Sequence, residues 1–392
     1  MASPSAIAYD HQARLITINK VATSRALSIW QRMNFDSLDA SWATLLPSLL
    51  QQSNAAQLAA AKTSDRYVSA LSSAYEFDQD AARIIPESFV GVDGSGRSME
   101  SLLHGAVTTT KEAVGSGFGR VQSLEAGASY LAAMYKTGLA DLGRAADLTA
   151  STGKGYTHYV RVVNPGACSR CAILAGKDSF QNAFKRHPGC KCTTAPVVMD
   201  GTITPPGLQS SPSDYFESLS PAEQDRVFTK GGAEAIRSGA NVQDVVNSRR
   251  GAAGISTSNG IGRQTTANSG RRMTRTRIGT DPTGNPIMGY TTTEGTYRGN
   301  FRSTQNRIGV GSQRIDGNRY SASKRTRIMP ESIVGLTDDL PTRQLLLRDA
   351  GYLDYRITDT STNAWIQQQQ TLKVADRAAA DEFYRSMGIQ LG

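Results

Sequence analysis

From Gln12 to Asn34 apolar residues recur at Leu15, Ile18, Ala22, Ala26, Ile29 and Met33, in steps of three and four. That spacing predicts a helix with one buried stripe. A second helical pattern runs from about Ser37 to Ala74, with an interruption expected at Pro47, which has no N–H to donate. Arg83 to Gly96 reads as turns, and Ser98 as the N-cap of a helix with Glu100 in its first turn. The run Gly115 to Gly119 lacks the G-K-[ST] ending of a phosphate loop and is expected to act as a hinge. Val121, Leu124, Ala128, Leu131, Tyr135, Leu139, Leu142 and Ala146 then hold a period close to 3.6, the core stripe of a long helix.

At Tyr156 the period changes. Tyr156, His158, Val160 and Val162 alternate with Thr157, Tyr159 and Arg161, which predicts a strand leading into the turn Asn164-Pro165-Gly166. Further turns are expected at Gly176-Lys177-Asp178 and Pro188-Gly189, a short helix around Phe180 and Phe184, and a returning strand from Thr193 to Met199. Gly201 to Ser213 has linker composition. Ser220-Pro221-Ala222-Glu223 is a capping box, so a helix starts there and is expected to stop at Gly231-Gly232. Two short helices follow, near Ala233 to Arg237 and Val242 to Arg249, and read better as a compact cap than as a DNA-reading helix pair. Near the C-terminus, helices are expected around Leu345 to Leu347, ending at Gly351, and from Ala375 to Met387. Short strands are expected at Tyr352 to Thr358 and around Trp365.

These patterns give an α+β fold, mainly α. The expected parts are a helical N-terminal region (1–150), a small β module (151–200), a linker and helical cap (201–256), a flexible basic arm (257–329) and a small C-terminal α/β unit (330–392). With 39% hydrophobic residues among 392, part of the chain is expected to stay outside any core. No apolar run approaches the roughly 20 residues needed to span a bilayer, and the first residues carry no secretory pattern. The expected setting is the interior of a cell or of a particle assembled there, with no membrane partner.

Charge is unevenly spread. Between Arg249 and Arg327 fourteen Arg and one Lys face Asp281, Glu294 and Asp316, a net of +12, whereas the whole chain is +9. Tyr290, Tyr297, Phe301 and Tyr320 are interleaved. Such a segment buries too little of its own surface to order itself without a partner. Its arginines suit phosphate, and its aromatics suit bases or partner pockets. The candidate contacts to duplex DNA, without sequence preference, are Arg271, Arg272, Arg275, Arg277, Arg298, Arg302, Arg307, Arg314, Arg319, Lys324, Arg325 and Arg327. A solvated loop that touches nothing is the alternative.

All four cysteines lie within one stretch, Cys168 and Cys171 as C-x₂-C, then Cys190 and Cys192 with His187 as H-x₂-C-x-C. Five soft or borderline donors within 25 positions exceed the four that tetrahedral Zn²⁺ requires, so one is spare. Two disulfides or ordinary buried thiols are the alternatives, but disulfide frameworks belong to small secreted domains and stray core thiols would be scattered. A closed structural site is expected, because the insert between the pairs holds no Glu to serve as the base of a catalytic zinc.

The string around these cysteines resembles the C-terminal signature of phage Mu F-like minor capsid proteins, also called head morphogenesis proteins, in which C-x₂-C is followed by HP-x-C-x-C. Pro86 to Leu103 and Ser211 to Gly251 are similar to the versions carried by phages of actinobacteria. The resemblance implies a virion protein present in few copies inside the procapsid near the portal. Its implied partners are portal protein, scaffold or major capsid protein and packaged double-stranded DNA, and its implied role is head assembly and DNA packaging or ejection. Members of that family are often labelled capsid maturation proteases. In this sequence a cysteine protease would compete with the metal for its thiols. A serine protease would need His11, His104 or His158 as base and has no G-x-S-x-G elbow, so a non-enzymatic role is expected and the protease is the alternative.

Overall fold

The computed structural model describes residues 2–77, 83–197, 206–249, 276–294, 312–314, 321–354 and 362–389. They form a mainly helical α+β protein with small antiparallel sheets, as the alternation of periods anticipates. The chain divides into two compact units: Met1–Ala167 with Leu174–Ser211, and Cys168–Ile173 with Pro212–Gly392.

Four helices dominate the first unit: α1 (Pro4–Trp30), α2 (Leu38–Ala74), α3 (Met99–Gly115) and α4 (Arg120–Gly153). α1 begins before its stripe does, because Pro4 occupies the first turn and the Ser3 hydroxyl accepts from the Ala6 N–H at 3.2 Å. The stripes meet in one core, where Ala26 and Trp30 of α1, Leu45 and Leu49 of α2, Leu103 and Val107 of α3, and Leu131 and Tyr135 of α4 are buried. Two of its large side chains with a polar tip are satisfied by backbone: Trp30 donates to the Leu124 carbonyl at 3.1 Å and Tyr135 to the Leu49 carbonyl at 2.6 Å. The helix breaks where the glycine run predicts, with Gly117 at φ +82° between α3 and α4. The α4 stripe starts later than its period suggests, since Val121 is 67% exposed.

α2 runs unbroken through Pro47, contrary to the expected interruption. Trp42, Leu45 and Leu49 are all buried on the same helix, and each such side chain contributes about 1.5–3 kcal/mol of burial. Together they outweigh the roughly 3 kcal/mol that an internal proline costs.

Small residues set how closely the helices approach. A Cβ at Gly127 would lie 2.1 Å from Thr110 Oγ1 and 2.4 Å from the Trp30 ring, whereas one at Gly138 on the same helix would meet nothing within 4 Å. Gly127→Ala should therefore destabilise the protein by about 1–3 kcal/mol through overpacking. Gly138→Ala should be neutral or stabilise by up to about 1 kcal/mol through helix propensity. Urea unfolding of the two variants checks the pair, and equal midpoints would contradict the packing described.

The same unit carries a sheet of order β2-β1-β3, with β1 His158–Val162, β2 Lys177–Ser179 and β3 Thr193–Val197, both pairings antiparallel. β1 pairs with β3 from His158 opposite Val197 to Val162 opposite Thr193. Val160, Val162, Ala195 and Val197 share a second core with Tyr67, Val68 and Leu71 of α2, Ala8 of α1 and Ala150 of α4. Tyr67 donates to the Thr194 carbonyl at 2.8 Å and Gln12 to the Val162 carbonyl at 2.8 Å, which ties helices to strands. Two local expectations fail. Lys177 and Asp178 extend a strand instead of forming a turn, because the Arg161 N–H donates to Gly176 and continues the ladder there. Phe180 and Phe184 are not on a helix. Their spacing instead lets both rings pack on Tyr159, at 5.1 and 5.8 Å between centroids. The β1–β2 connection holds a single helical turn, α5 (Ser169–Ala172).

In the second unit α6 (Pro212–Glu217) opens at the end of the expected linker, and α7 (Pro221–Phe228) starts at the capping box as read: Glu223 accepts from the Ser220 N–H at 3.0 Å. The break after α7 falls at Thr229, φ +68°, not at Gly231-Gly232, which lie inside α8 (Lys230–Arg237). Those glycines serve approach instead of termination, since a Cβ at Gly231 would sit 3.1 Å from Glu331 Cα. Arg249, just after α9 (Val242–Ser248), holds the strained turn by donating to the Phe228 carbonyl and to Thr229 Oγ1.

Part of the stretch expected as a flexible arm is sheet. β4 (Thr276–Thr280) pairs with β5 (Pro286–Gly289), and β8 (Ser321–Ile328) pairs with β6 (Thr291–Glu294) and β7 (Ser312–Arg314), all antiparallel. The chain supplies the partner that the composition alone lacks. Buried Ile278, Ile328 and Met329 accompany buried Ile333 of α10 (Pro330–Leu336), Leu346 and Leu347 of α11 (Leu340–Asp349) and Tyr352. The Thr280 N–H donates to the Gly388 carbonyl at 2.9 Å, after α12 (Thr362–Ser386). Trp365 lies in α12 and not in a strand, and α12 includes most of the helix expected from Ala375.

Candidate metal centre

The candidate ligands are delivered by three turns. After β1, Ala167 N–H donates back to the Asn164 carbonyl at 2.8 Å, with Gly166 at φ +76°, and this tight turn presents Cys168 as the N-cap residue of α5. Cys171 follows one helical turn later, its N–H bonded to the Cys168 carbonyl at 2.9 Å, so that C-x₂-C puts both thiols on one side. The second arm is the Pro188-Gly189 turn, closed by Cys190 N–H to the His187 carbonyl at 3.1 Å, with Gly189 at φ +70°. Cys192 comes just before β3, in line with the ladder that β3 makes with β1.

All five predicted ligands are brought together. Donor atoms of Cys168, Cys171 and His187 lie within 4.8 Å of one another, and so do those of Cys171, Cys190 and Cys192. Cys171 belongs to both groups. A tetrahedral ion with metal–sulfur bonds of about 2.3 Å separates its sulfurs by roughly 3.8 Å, and each group of three lies within the 4.8 Å from which donors could close on a metal. A cluster of Cys₃His type that could bind a metal is therefore present. Cys171, Cys190 and Cys192 are buried, and Cys168 and His187 are partly exposed. His187 Nδ1 sits 2.9 Å from the Pro188 carbonyl. With the proton on Nδ1, Nε2 is the nitrogen whose lone pair can meet a metal.

The support for this knuckle comes from α4 and has no local signature in the sequence. Arg144, buried, donates to the carbonyls of Cys190 and Cys192 at 3.2 and 3.0 Å and pairs with Asp141, which also pairs with Arg186. Thr137, two turns earlier, accepts from the Gly189 N–H at 3.1 Å. The Phe184 ring lies between two cations, 3.9 Å from the Arg161 guanidinium and 5.0 Å from that of Arg144. Burial in this aromatic cluster, with help from Asp178 and against the pull of Arg161, pushes the Tyr159 hydroxyl up to about 12.

The three histidines considered as hydrolytic bases have other partners, and so do Ser95 and Ser116, two serines that a hydrolase could use as nucleophiles. His11 Nε2 meets Asp147 at 2.9 and 3.1 Å, and its ring stacks on Tyr67 at 3.8 Å. His104 lies edge-on to Trp42, and His158 Nδ1 contacts Thr157 Oγ1 at 2.8 Å. The Ser95 hydroxyl donates to Asp93 at 2.7 Å and that of Ser116 to the Glu112 carbonyl at 2.8 Å. Partial burial raises the Asp93 carboxyl, yet hydrogen bonds from Ser95 and Arg97 outweigh it and hold the group near 2. Among the described residues none of these histidines hydrogen-bonds a serine hydroxyl.

Of the candidate DNA contacts, Arg327 is a correction. It is 2% exposed, donates to the Ala350 carbonyl at 2.6 Å and lies over the Tyr352 ring at 4.6 Å, so it anchors β8 instead of reaching a phosphate. Arg277, on β4, is exposed. Arg314 lies on β7, and Lys324 and Arg325 on β8. Arg271, Arg272, Arg275, Arg298, Arg302, Arg307 and Arg319 lie outside the described residues.

No protein-family model, curated protein or solved structure matches this chain.

Proposed function

We propose that this chain is a minor capsid protein of a tailed bacteriophage, a head morphogenesis protein of the Mu F-like kind. The observation that supports the reading is the C-x₂-C and HP-x-C-x-C pair, whose five donors converge between β1 and β3. The ion proposed for it is Zn²⁺, which suits mixed thiolate and imidazole donors and needs no open coordination position in a structural role. In this account the protein works inside the procapsid near the portal. Portal protein and scaffold or major capsid protein are the protein partners. The basic residues from Arg271 to Arg325 contact packaged DNA without sequence preference.

The test is head assembly with and without the chain. The protein should sediment with procapsids in few copies, and its removal should lower the yield of DNA-filled, infectious heads. Its absence from particles would sink the proposal. The role proposed is not enzymatic, so Ala at Ser95, Ser116, His104 or His158 should leave capsid and scaffold proteins at unchanged length on a gel of purified particles. Loss of a defined cleavage product in any of the four would make the chain a maturation protease instead.

A further inference from the structure

A cavity of about 340 Å³ lies in the first unit between α1, α4 and the last turn of the knuckle. Its floor is apolar, built from Leu15, Ile16 and Leu27 of α1 and Ala140 of α4. The helices close beneath it because a Cβ at Gly143 would come within 3.2 Å of the Leu15 side chain, and because Asn19 donates to the Lys136 carbonyl at 2.8 Å. Three exposed lysines, Lys20, Lys136 and Lys191, stand around the opening, one on each wall. No carboxylate lines the cavity, and none of the three lysines forms an ion pair among the described residues. Arg144, also in the wall, differs from them, since Asp141 and two carbonyls already satisfy it.

An apolar floor with an unmatched cationic rim selects an occupant that is apolar in the middle and anionic at its edges. Inorganic anions would use the rim and leave the floor wet. Nucleic acid would bring phosphates, but no aromatic side chain lines the cavity to stack a base, and stacking is what holds single strands in such grooves. We propose that this groove binds an acidic amphipathic segment of a protein partner. Apolar side chains three or four positions apart enter between α1 and α4, and flanking carboxylates meet Lys20, Lys136 and Lys191. One wall is Gly189, Cys190 and Lys191, so the groove exists only while the knuckle is folded, and binding should depend on the metal. This inference is independent of the phage assignment. It concerns the chemistry of the surface, whatever the partner's origin.

The test uses the full-length, zinc-loaded protein against a displayed library of random dodecapeptides, followed by anisotropy titration of the enriched peptides at physiological salt. Enriched sequences should combine Asp or Glu with apolar residues at helical spacing. The K20E/K136E/K191E variant should bind them about 30-fold more weakly, as expected for reversing three surface charge pairs, with unchanged circular dichroism and zinc content. K20Q/K136Q/K191Q should fall between, and serves alone if the reversal disturbs folding. Replacing the peptide's apolar residues by Ser should weaken binding about 10-fold, consistent with loss of the buried anchors. Enriched peptides that lack acidic or apolar residues, or that bind wild type and both variants alike, would overturn the proposal. So would a 20-nucleotide single strand whose binding is lost on the triple reversal while peptides remain unaffected, since nucleic acid would then be the occupant.

Discussion

Removing the metal with a chelator should unfold residues 164–192 while β1 and β3 stay paired. The knuckle is built of short turns, such as Ala167 to Asn164 and Cys190 to His187, braced from α4 by Arg144 and Thr137, and its thiols lie close together, Cys171, Cys190 and Cys192 within 4.8 Å. For a segment of this kind the binding free energy is folding free energy, apparent values being about 10–16 kcal/mol for structural zinc at neutral pH. The strands differ, because Val160, Val162, Ala195 and Val197 share a core with Tyr67, Val68 and Leu71 that needs no metal. Hydrogen exchange should therefore show protection lost at the amides of Ala167, Cys171 and Cys190 and retained at Val160 and Ala195. Among single substitutions Cys171→Ser should be the most damaging, since its sulfur belongs to both groups of donors, whereas Cys168, His187, Cys190 and Cys192 each belong to one. Acid should mimic the chelator, because protons compete with the metal for thiolate and imidazole. Protection unchanged after the metal is gone would mean that the knuckle stands on packing alone.

The second large effect concerns DNA. Replacing Arg271, Arg272, Arg275, Arg298, Arg302 and Arg307 together by Gln should reduce the slope of log affinity against log salt by about 5, at roughly 0.9 per phosphate contact. At low salt the affinity for any duplex should fall on the order of a thousandfold. Neutralisation is the appropriate change, and deletion of the whole basic stretch is not. Deletion would remove β4 to β8 and the Arg327 contact with Ala350, so that lost binding could reflect an unfolded second unit. Equal salt slopes for wild type and the six-fold variant would mean that these arginines contact something other than phosphate.

The long periodic elements were legible because one face of each is buried against the others. The stripes ending at Met33 and Ala146, the capping box at Ser220 and the strand at Val160 all carry their signal locally. The metal centre was legible for the same reason, its five donors lying within 25 positions and its turns marked by Gly166 and Gly189. What the sequence hid was tertiary. Pro47 is tolerated because of neighbours that bury Leu45 and Leu49, and Gly231 serves close approach to Glu331, Gly232 to Arg249 and Val245, rather than a helix end. The strands inside the basic stretch are completed by residues distant in sequence, as when Thr280 meets Gly388. Arg144 shows the limit most clearly. On the sequence it is one more charge on a helix, yet it bonds the backbone at two of the four cysteines.

X-ray absorption at the zinc edge of the full-length protein tests the closed metal centre most directly. The account predicts one zinc per chain with four ligands: three or four sulfurs at about 2.3 Å, at most one nitrogen near 2.0–2.1 Å, and no water oxygen. A spectrum with fewer than three sulfurs or with a bound water, or protein that stays folded through residues 164–192 with no metal at all, would contradict it.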